Sequence, residues 1–296
     1  MAMNLAPRYP LVLVHGMLGF VSLAGYSYWY GIDTALRAAG ATVHAVRLSA
    51  VHGNTVRGEQ LLAQVEALRA ELGAERVHLI GHSQGALSAR YVAALRPQWV
   101  ASVTSVAGPN QGSEVADYLQ LHLQPGGRPR RWLANITQGL ALVMQVLDSA
   151  ADDRVLPRDA LESLQDLGSE GVAAFNARYP QGLPALWGGE GEPEVDGVRY
   201  YSWSGTLQPG ITDRGPNRLD PSQRLCRLLS RCFVREAGQN DGMVGRFSSH
   251  LGQVIRSDYP FDHLDIVNQQ LGAVGPGVDP VAVYVEHARR LAEAGL

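Results

Sequence analysis

Ser83 is the residue of this 296-residue chain whose surroundings point most directly to chemistry. It lies at the centre of the sequence GHSQG at residues 81–85, between an apolar, strand-like run at residues 77–80 and a helical pattern at residues 86–95. A strand that turns directly into a helix strains the backbone of its central residue, and the flanking glycines remove side chains that would collide there. The N–H groups that open the helix can stabilise a negatively charged oxygen. We therefore predict that Ser83 is the nucleophile of an acyl-transfer reaction.

A second backbone donor is expected from an earlier loop. The apolar run at residues 11–14 leads into His15, Gly16 and Met17. Loops of this His-Gly kind supply one N–H group to the oxyanion hole, the pair of donors that binds the tetrahedral intermediate. We predict that the main-chain N–H groups of Met17 and Gln84 form this hole. His15 precedes the nucleophile in the chain and is interpreted as a residue that organises the loop.

Three histidines well downstream of Ser83 are candidates for the base, because this type of nucleophile turn is followed in the chain first by an acid and then by a histidine. His287 falls on a helical pattern and is interpreted as a surface residue. His250 precedes a strand-like run at residues 254–255, whereas His263 follows that run on a predicted loop. Because a triad histidine belongs on a loop after a strand, we favour His263.

The acid is less well determined by the residues alone. Asp241 lies in an Asn-Asp-Gly turn at residues 240–242, where a loop would let it approach His263. Asp213 and Asp220 satisfy the chain order equally well. Since Asn-Asp-Gly is also an ordinary turn sequence, the choice of Asp241 stays open at this point.

The elements that must position these side chains form an alternating pattern. Short β-branched runs are separated by helical stretches, including one at residues 61–72 and one at residues 279–296. The predicted strands cover residues 11–15, 42–48, 77–81, 100–107 and 198–203. This alternation predicts an α/β fold with a mostly parallel central sheet flanked by helices. At this length we expect a single domain over residues 1–296.

Residues 108–190 break the alternation and are predicted to form an inserted helical cap, at about residues 110–190. Within it, apolar residues repeat at three- and four-residue steps over about residues 131–150, which predicts a helix with one continuously apolar face. Two interpretations stay open for this helix: a core helix, or a mobile lid over an apolar site.

Composition excludes several classes of protein. The formal net charge of −3 supplies no basic field for nucleic acid. All 25 basic residues are arginine, which excludes Schiff-base chemistry and the lysine of a phosphate-binding P-loop. Residues 1–8 show no signal peptide, and no apolar run of about 20 residues predicts a membrane span. A disulfide between Cys226 and Cys232 stays open, because a helix would hold them apart whereas a loop would let them meet.

Several sequence blocks resemble the true bacterial lipases of the Pseudomonas, Burkholderia and Proteus group, over nearly the whole chain. The blocks are YPLVLVHGMLGF at 9–20, RGEQL at 57–61, GHSQG at 81–85, GVRYYSWSG at 197–205, NDG at 240–242, SHLG at 249–252 and HLD at 263–265. The resemblance implies the α/β-hydrolase fold and a triacylglycerol lipase (EC 3.1.1.3). It assigns Ser83, Asp241 and His263 as the catalytic triad, with Met17 and Gln84 as the oxyanion hole.

The same resemblance implies a structural calcium ion and no organic cofactor. Its ligands would be the carboxylates of Asp220 and Asp265 and the main-chain carbonyls of Gln269 and Ala273, and the ion would hold the loop that bears His263. From spacing alone, Asp265 and Gln269 look like one solvated face of a helix. Many members also carry a disulfide between the regions that match positions 187 and 247, which are Trp and Phe here, so that bridge is absent.

The predicted function is therefore hydrolysis of long-chain acylglycerol esters by a secreted, monomeric enzyme at a lipid interface. A short-chain carboxylesterase or polyester hydrolase with the same triad is the alternative, and a non-catalytic binding protein on the same fold is a more distant one. The family varies in its need for a folding chaperone, and the cap region is the least similar part of the chain.

Overall fold

The computed structural model describes residues 6–17, 19, 22–23, 26–123 and 157–296. The strands are β1 (Leu11–Val14), β2 (Ser22–Leu23), β3 (Tyr26–Ser27), β4 (Val43–Val46), β5 (Val77–His82), β6 (Val100–Val106), β7 (Glu194–Val195), β8 (Val198–Gly205) and β9 (Gln253–Tyr259). The α-helices are α1 (Ile32–Ala38), α2 (Asn54–Leu72), α3 (Gln84–Leu95), α4 (Glu114–Leu123), α5 (Pro157–Leu167), α6 (Ser169–Arg178), α7 (Pro221–Leu229), α8 (Gln269–Gly272) and α9 (Pro280–Glu293). Short 3-10 turns cover Pro97–Trp99, Gly215–Leu219, Ser230–Cys232 and Asp265–Val267.

Seven strands form one central sheet in the order β4, β1, β5, β6, β8, with β7 and β9 both paired to β8. Every pair is parallel except β7 with β8. The strands β2 and β3 form a separate antiparallel pair. Because the parallel strands run in one direction, the loops after β1, β5 and β9 leave the same edge of the sheet, and these loops carry Met17, Ser83 and His263.

The sheet is covered on both faces, which explains why its strands are nearly continuous apolar runs. Leu11 and Leu13 of β1 pack into an apolar cluster with α1 and α9. Val12 and Val14 point the other way and pack with α2 and α3. This alternation follows from the two-residue period of a strand.

Carboxylate side chains cap the first turns of helices α2 and α9. Asp279 accepts a hydrogen bond from the Ala282 N–H group at 3.0 Å, and Pro280 occupies the first turn of α9. Helix α2 takes its capping carboxylate from a distant part of the chain, since Asp166 of α5 accepts the Asn54 N–H group at 2.7 Å. The start of α9 is therefore visible in the sequence, whereas the start of α2 depends on tertiary packing.

The predicted α/β fold with a mostly parallel sheet is confirmed. All five predicted strands are present, and the helical patterns at residues 61–72, 86–95 and 279–296 fall in α2, α3 and α9. In the proposed cap range of about 110–190 the structure describes α4, α5 and α6, whereas the predicted lid helix at about 131–150 lies outside the described residues. No helix in the described ranges is long and apolar enough to cross a membrane. Cys226 and Cys232 are buried free thiols, so the disulfide that the sequence left open is not formed.

Candidate active site

Ser83 occupies the strained turn that the sequence predicts. Its backbone has φ 54° and ψ −127°, values that are rare for a residue with a side chain. A Cβ atom on Gly81 would lie 2.4 Å from the carbonyl oxygen of Gly85, and one on Gly85 would lie 2.3 Å from that of Val14. Both flanking positions therefore require glycine, and the half-buried Ser83 side chain stands at the carboxyl edge of the sheet.

The loop after β1 lies directly against the nucleophile turn. A Cβ atom on Gly16 would lie 2.8 Å from Ser83 Cβ and 3.3 Å from Ser83 Oγ. Within the described part of the chain, the N–H groups of Met17 and Gln84 donate no hydrogen bond. The structure thus brings this loop to Ser83 and leaves both predicted donors available to a ligand.

Two buried side chains, Arg57 and His15, hold this loop in place. Arg57 donates from Nη2 to the carbonyl oxygens of His15 at 2.6 Å and Gly16 at 3.2 Å. His15 accepts the Leu48 N–H group at Nε2 (3.0 Å), so its Nδ1 donates to the Gly16 carbonyl oxygen at 2.8 Å. Burial, followed by the charge of Arg57, lowers the pKa of His15 to about 3. His15 is therefore neutral and organises the loop, as predicted.

His263 and Asp241 form a buried hydrogen-bonded pair. Nδ1 of His263 lies 2.7 Å from Oδ2 of Asp241, and the His263 N–H group donates to the main-chain oxygen of Asp241 at 3.0 Å. Oδ1 of Asp241 accepts the N–H groups of Met243 and Val244 at 2.8 and 2.7 Å. Since Asp241 accepts a hydrogen bond from the Nδ1–H group of His263, Nε2 is the nitrogen with the free lone pair.

A third buried side chain, His82, connects His263 to Tyr28 and the loop after β1. The hydroxyl of Tyr28 lies 2.6 Å from His82 Nδ1 and accepts the Gly16 N–H group at 3.3 Å. On its other side, His82 Nε2 lies 3.0 Å from the main-chain oxygen of His263. Because that oxygen can only accept, His82 donates from Nε2 and accepts from Tyr28 at Nδ1. Neither Tyr28 nor His82 was predicted from the sequence, although His82 lies inside the GHSQG motif.

The other candidates for the base and the acid make different contacts. His250 places Nδ1 2.9 Å from the carbonyl oxygen of Gly189. His287 was predicted to lie on the surface, which is wrong: it is fully buried, with Nε2 2.8 Å from Thr104 Oγ1. Asp213 forms an ion pair with Arg227 at 3.5 Å. Ser83 Oγ makes no hydrogen bond to a described residue, so the structure joins His263 to Asp241 but does not show a hydrogen bond between Ser83 and His263.

An acidic cluster lies beneath the loop that bears His263. The carboxylates of Asp220, Asp262 and Asp265 are buried, and one oxygen atom of each lies within 4.8 Å of the others. Burial raises the pKa of Asp262 and of Asp265, and the charge of Asp262 adds to the effect on Asp265. Oδ2 of Asp262 and Oδ1 of Asp265 have no hydrogen-bond partner in the described ranges. Both oxygens of Asp220 accept hydrogen bonds from Ser222. Three clustered carboxylates, two of them with an unpaired oxygen atom, fit a divalent cation of the calcium type.

The cluster differs from the ligand set that the sequence implied. Asp262 joins it without having been predicted, although its position beside His263 and three residues before Asp265 was a usable signal. Asp265 and Gln269 are buried rather than on a solvated helix face. The Gln269 side chain donates to the Tyr28 carbonyl oxygen.

The comparisons with known proteins agree with this architecture. The α/β hydrolase fold family matches residues 9–250. A triacylglycerol lipase of Pseudomonas fragi is 50% identical over 98% of this chain and 98% of its own length. A triacylglycerol lipase of Vibrio cholerae is 46% identical over 98% of this chain and 89% of its own. The crystal structure of Staphylococcus hyicus lipase is similar in fold, with a TM-score of 0.63 at 18% identity over 98% of each chain.

The fold and the matched family define the class of this protein, and the chain belongs to the α/β hydrolases. Within that class it belongs to the family of bacterial triacylglycerol lipases, as its close relatives show over nearly their whole length. It is therefore a carboxylic ester hydrolase, as the sequence predicted.

Proposed function

We propose that this protein hydrolyses long-chain acylglycerol esters through an acyl-enzyme on Ser83, with His263 as base and Asp241 as its partner. The buried hydrogen bond between His263 Nδ1 and Asp241 Oδ2 is the observation that carries this proposal. Oδ1 of Asp241 is already engaged by two N–H groups, so Oδ2 is directed at the imidazole. This arrangement fixes the tautomer in which Nε2 accepts a proton and stabilises the imidazolium that then forms.

In the first half of the reaction, Ser83 Oγ attacks the ester carbonyl carbon while His263 Nε2 takes the hydroxyl proton. The N–H groups of Met17 and Gln84 bind the oxyanion of the tetrahedral intermediate. Collapse of this intermediate breaks the bond to the alcohol, which leaves with the proton from His263. In the second half, His263 removes a proton from water as the water oxygen attacks the acyl carbon. Collapse of this second tetrahedral intermediate breaks the bond to Ser83 Oγ, which takes the proton back from His263, and the fatty acid is released.

Calcium is proposed as a structural ion. Asp220, Asp262 and Asp265 would hold it with their carboxylates, and Gln269 and Ala273 with main-chain carbonyls. Bound there, the ion would supply positive charge that neutralises the buried carboxylates. Its effect on the reaction is indirect, because Asp262 immediately precedes His263 and its Oδ1 accepts the N–H groups of Leu264 and Asp265, both at 2.8 Å. The proposed ion would thus stabilise the loop that positions the base.

The substrate assignment is supported by the relatives from Pseudomonas fragi and Vibrio cholerae, which are named triacylglycerol lipases. Water-insoluble acylglycerols at a lipid surface are therefore the proposed substrates. Secretion and a monomeric state remain predictions from the sequence, and the need for a folding chaperone stays open.

The test of the triad compares two histidine variants. His263→Asn should lower kcat on p-nitrophenyl esters by about 10⁴-fold or more, because members of a triad act as a unit. His250→Asn is the matched control. That histidine is also buried, but its Nδ1 lies 2.9 Å from the carbonyl oxygen of Gly189 and not beside Asp241. A His263→Asn enzyme with the activity of the His250→Asn control would exclude the proposed base.

The test of the substrate compares acyl chains on the same enzyme. Hydrolysis of p-nitrophenyl palmitate and emulsified triacylglycerol should exceed hydrolysis of p-nitrophenyl butyrate. The opposite preference, with the triad intact, would identify a short-chain esterase. Labelling by an organophosphate, located at Ser83 by mass spectrometry, checks the nucleophile independently of the substrate.

A further inference from the structure

A second concave site has no proposed triad residue in its lining. It is a groove of about 880 Å³ that lies between α7 and the loops at residues 207–213 and 238–240. Four arginines line it: Arg218, Arg224, Arg227 and Arg231. Among the described residues that line the groove, Asp213 is the one carboxylate. The groove is therefore strongly positive in a chain whose formal net charge is −3.

Most of this positive charge is not neutralised by the protein. Arg227 forms an ion pair with Asp213, with 3.5 Å between Nη1 and Oδ2. Arg218, Arg224 and Arg231 are exposed and form no ion pair with any residue that the structure describes. A guanidinium group presents a planar fork of N–H donors that matches the oxygen atoms of phosphate and carboxylate groups. Several guanidinium groups without an ion-pair partner among the described residues are therefore available to bind one oxyanion.

The buried amide of Gln223 provides an independent observation. Gln223 lines the groove and is 2% exposed, and its Nε2 atom has no hydrogen-bond partner in the described ranges. Buried amide donors are almost always paired in folded proteins, since an unpaired one has lost its water without replacement. An oxyanion seated between the arginines would accept this hydrogen bond.

We propose that the groove, defined by Gln223 and the four arginines, is a phosphate-binding site. A phosphate group carries more negative charge than a carboxylate and has more acceptor oxygens, which suits several guanidinium groups together with one amide. The phosphate could be free in solution or belong to the headgroup of an anionic phospholipid, since Leu207 and Leu228 add apolar surface beside the arginines. Asn240, which lines the groove, precedes Asp241 in the chain, but the groove contains no residue of the proposed triad, and the proposal does not depend on that triad.

Calorimetric titration of the whole chain with inorganic phosphate, against sodium chloride at equal ionic strength, is the first test. Saturable binding is expected, and Arg224→Gln combined with Arg231→Gln should weaken it by about tenfold per arginine. The matched control is Arg37→Gln combined with Arg178→Gln, which removes the same charge from exposed positions outside the groove. Both double variants should keep the wild-type melting temperature and the wild-type activity on a soluble ester.

A second variant tests the amide directly. Gln223→Glu changes the shape of the side chain little but places a negative charge beside the ligand, so binding of phosphate should be lost. If the Gln223→Glu protein does not fold, the double variant Arg224→Gln with Arg231→Gln, at exposed positions, still tests whether the groove binds phosphate.

Vesicle co-sedimentation then identifies the source of the phosphate. Vesicles of phosphatidylcholine are compared with vesicles that also contain phosphatidylglycerol. Arginine-dependent binding of inorganic phosphate supports a site for free phosphate, and arginine-dependent binding of the anionic vesicles alone supports a headgroup site. Absence of both, or an equal loss in the control pair, would overturn the proposal.

Discussion

His82 Nε2 donates a hydrogen bond to the main-chain oxygen of His263 at 3.0 Å, and the two imidazole rings lie 4.7 Å apart between centroids. The chain neighbour of Ser83, the proposed nucleophile, is thus hydrogen-bonded to the backbone of His263, the proposed base. Tyr28 extends this connection to Gly16, whose N–H group it accepts at 3.3 Å. One continuous set of hydrogen bonds therefore links the oxyanion loop, the nucleophile turn and the loop of His263.

Removal of the Tyr28 hydroxyl should disturb this linkage without removing a catalytic group. Tyr28→Phe leaves His82 Nδ1 buried without its donor, which costs about 1–3 kcal/mol. We expect kcat to fall by about tenfold with little change in KM, because the positions of reacting groups shift while the substrate surface is kept. Tyr259→Phe is the control, since that hydroxyl makes no hydrogen bond to a described residue. A Tyr28→Phe enzyme with wild-type kcat would contradict the proposed positioning role.

Because the backbone of Ser83 is strained, replacing Ser83 by glycine should abolish activity while relieving the strain. Ser83→Ala and Ser83→Gly should both lose activity. Glycine tolerates positive φ, whereas alanine keeps the strain, so the glycine variant should be the more stable of the two by roughly 1 kcal/mol. Urea denaturation measures the difference, and equal free energies of unfolding would show that the turn stores no strain.

The acidic cluster predicts that stability depends on calcium. A chelator should lower the melting temperature of the wild-type protein, since an ion at a hundredfold excess over its Kd stabilises the folded state by about 2.7 kcal/mol. Asp265→Asn should lose most of this response, and the control Asp33→Asn, on the surface of α1, should keep it. Metal analysis of the purified protein accompanies the melting curves. The site would be excluded if the purified protein held no calcium and its melting temperature changed with neither chelator nor added calcium.

Four buried histidines predict that the protein loses stability in mild acid. Burial lowers the pKa of His15 and His78 to about 3 and holds the pKa of His82 and His287 well below 6.5. The unfolded chain therefore takes up protons first as the pH falls. The stabilisation is complete above about pH 6.5 and declines below it, by about 1.4 kcal/mol per pH unit for each histidine.

His287→Gln isolates one of these histidines, because the glutamine amide still reaches toward Thr104 but does not titrate. The free energy of unfolding of this variant should fall less steeply between pH 6.5 and pH 5 than that of the wild-type protein, by the contribution of one histidine. Parallel pH profiles for the two proteins would show that His287 is not held neutral.

The sequence by itself determined the parts of the molecule that depend on neighbouring residues. The alternation of apolar runs predicted the sheet, because periodicity reflects which face of an element is buried. The Ser83 turn was predictable because its glycines and its strand–helix context lie within a few residues. The N-cap of α9 is local in the same way, with Asp279 three residues from Ala282.

Only the tertiary structure decided between side chains that the sequence left equivalent. It placed Asp241 against His263, Asp213 against Arg227 and Asp220 in the acidic cluster. It also decided the burial of His287 against Thr104 and the linkage of His263 through His82. These contacts join residues that are far apart in the chain, 181 positions in the case of His82 and His263. Such pairs are brought together by the packing of the sheet and its loops, which no local pattern records.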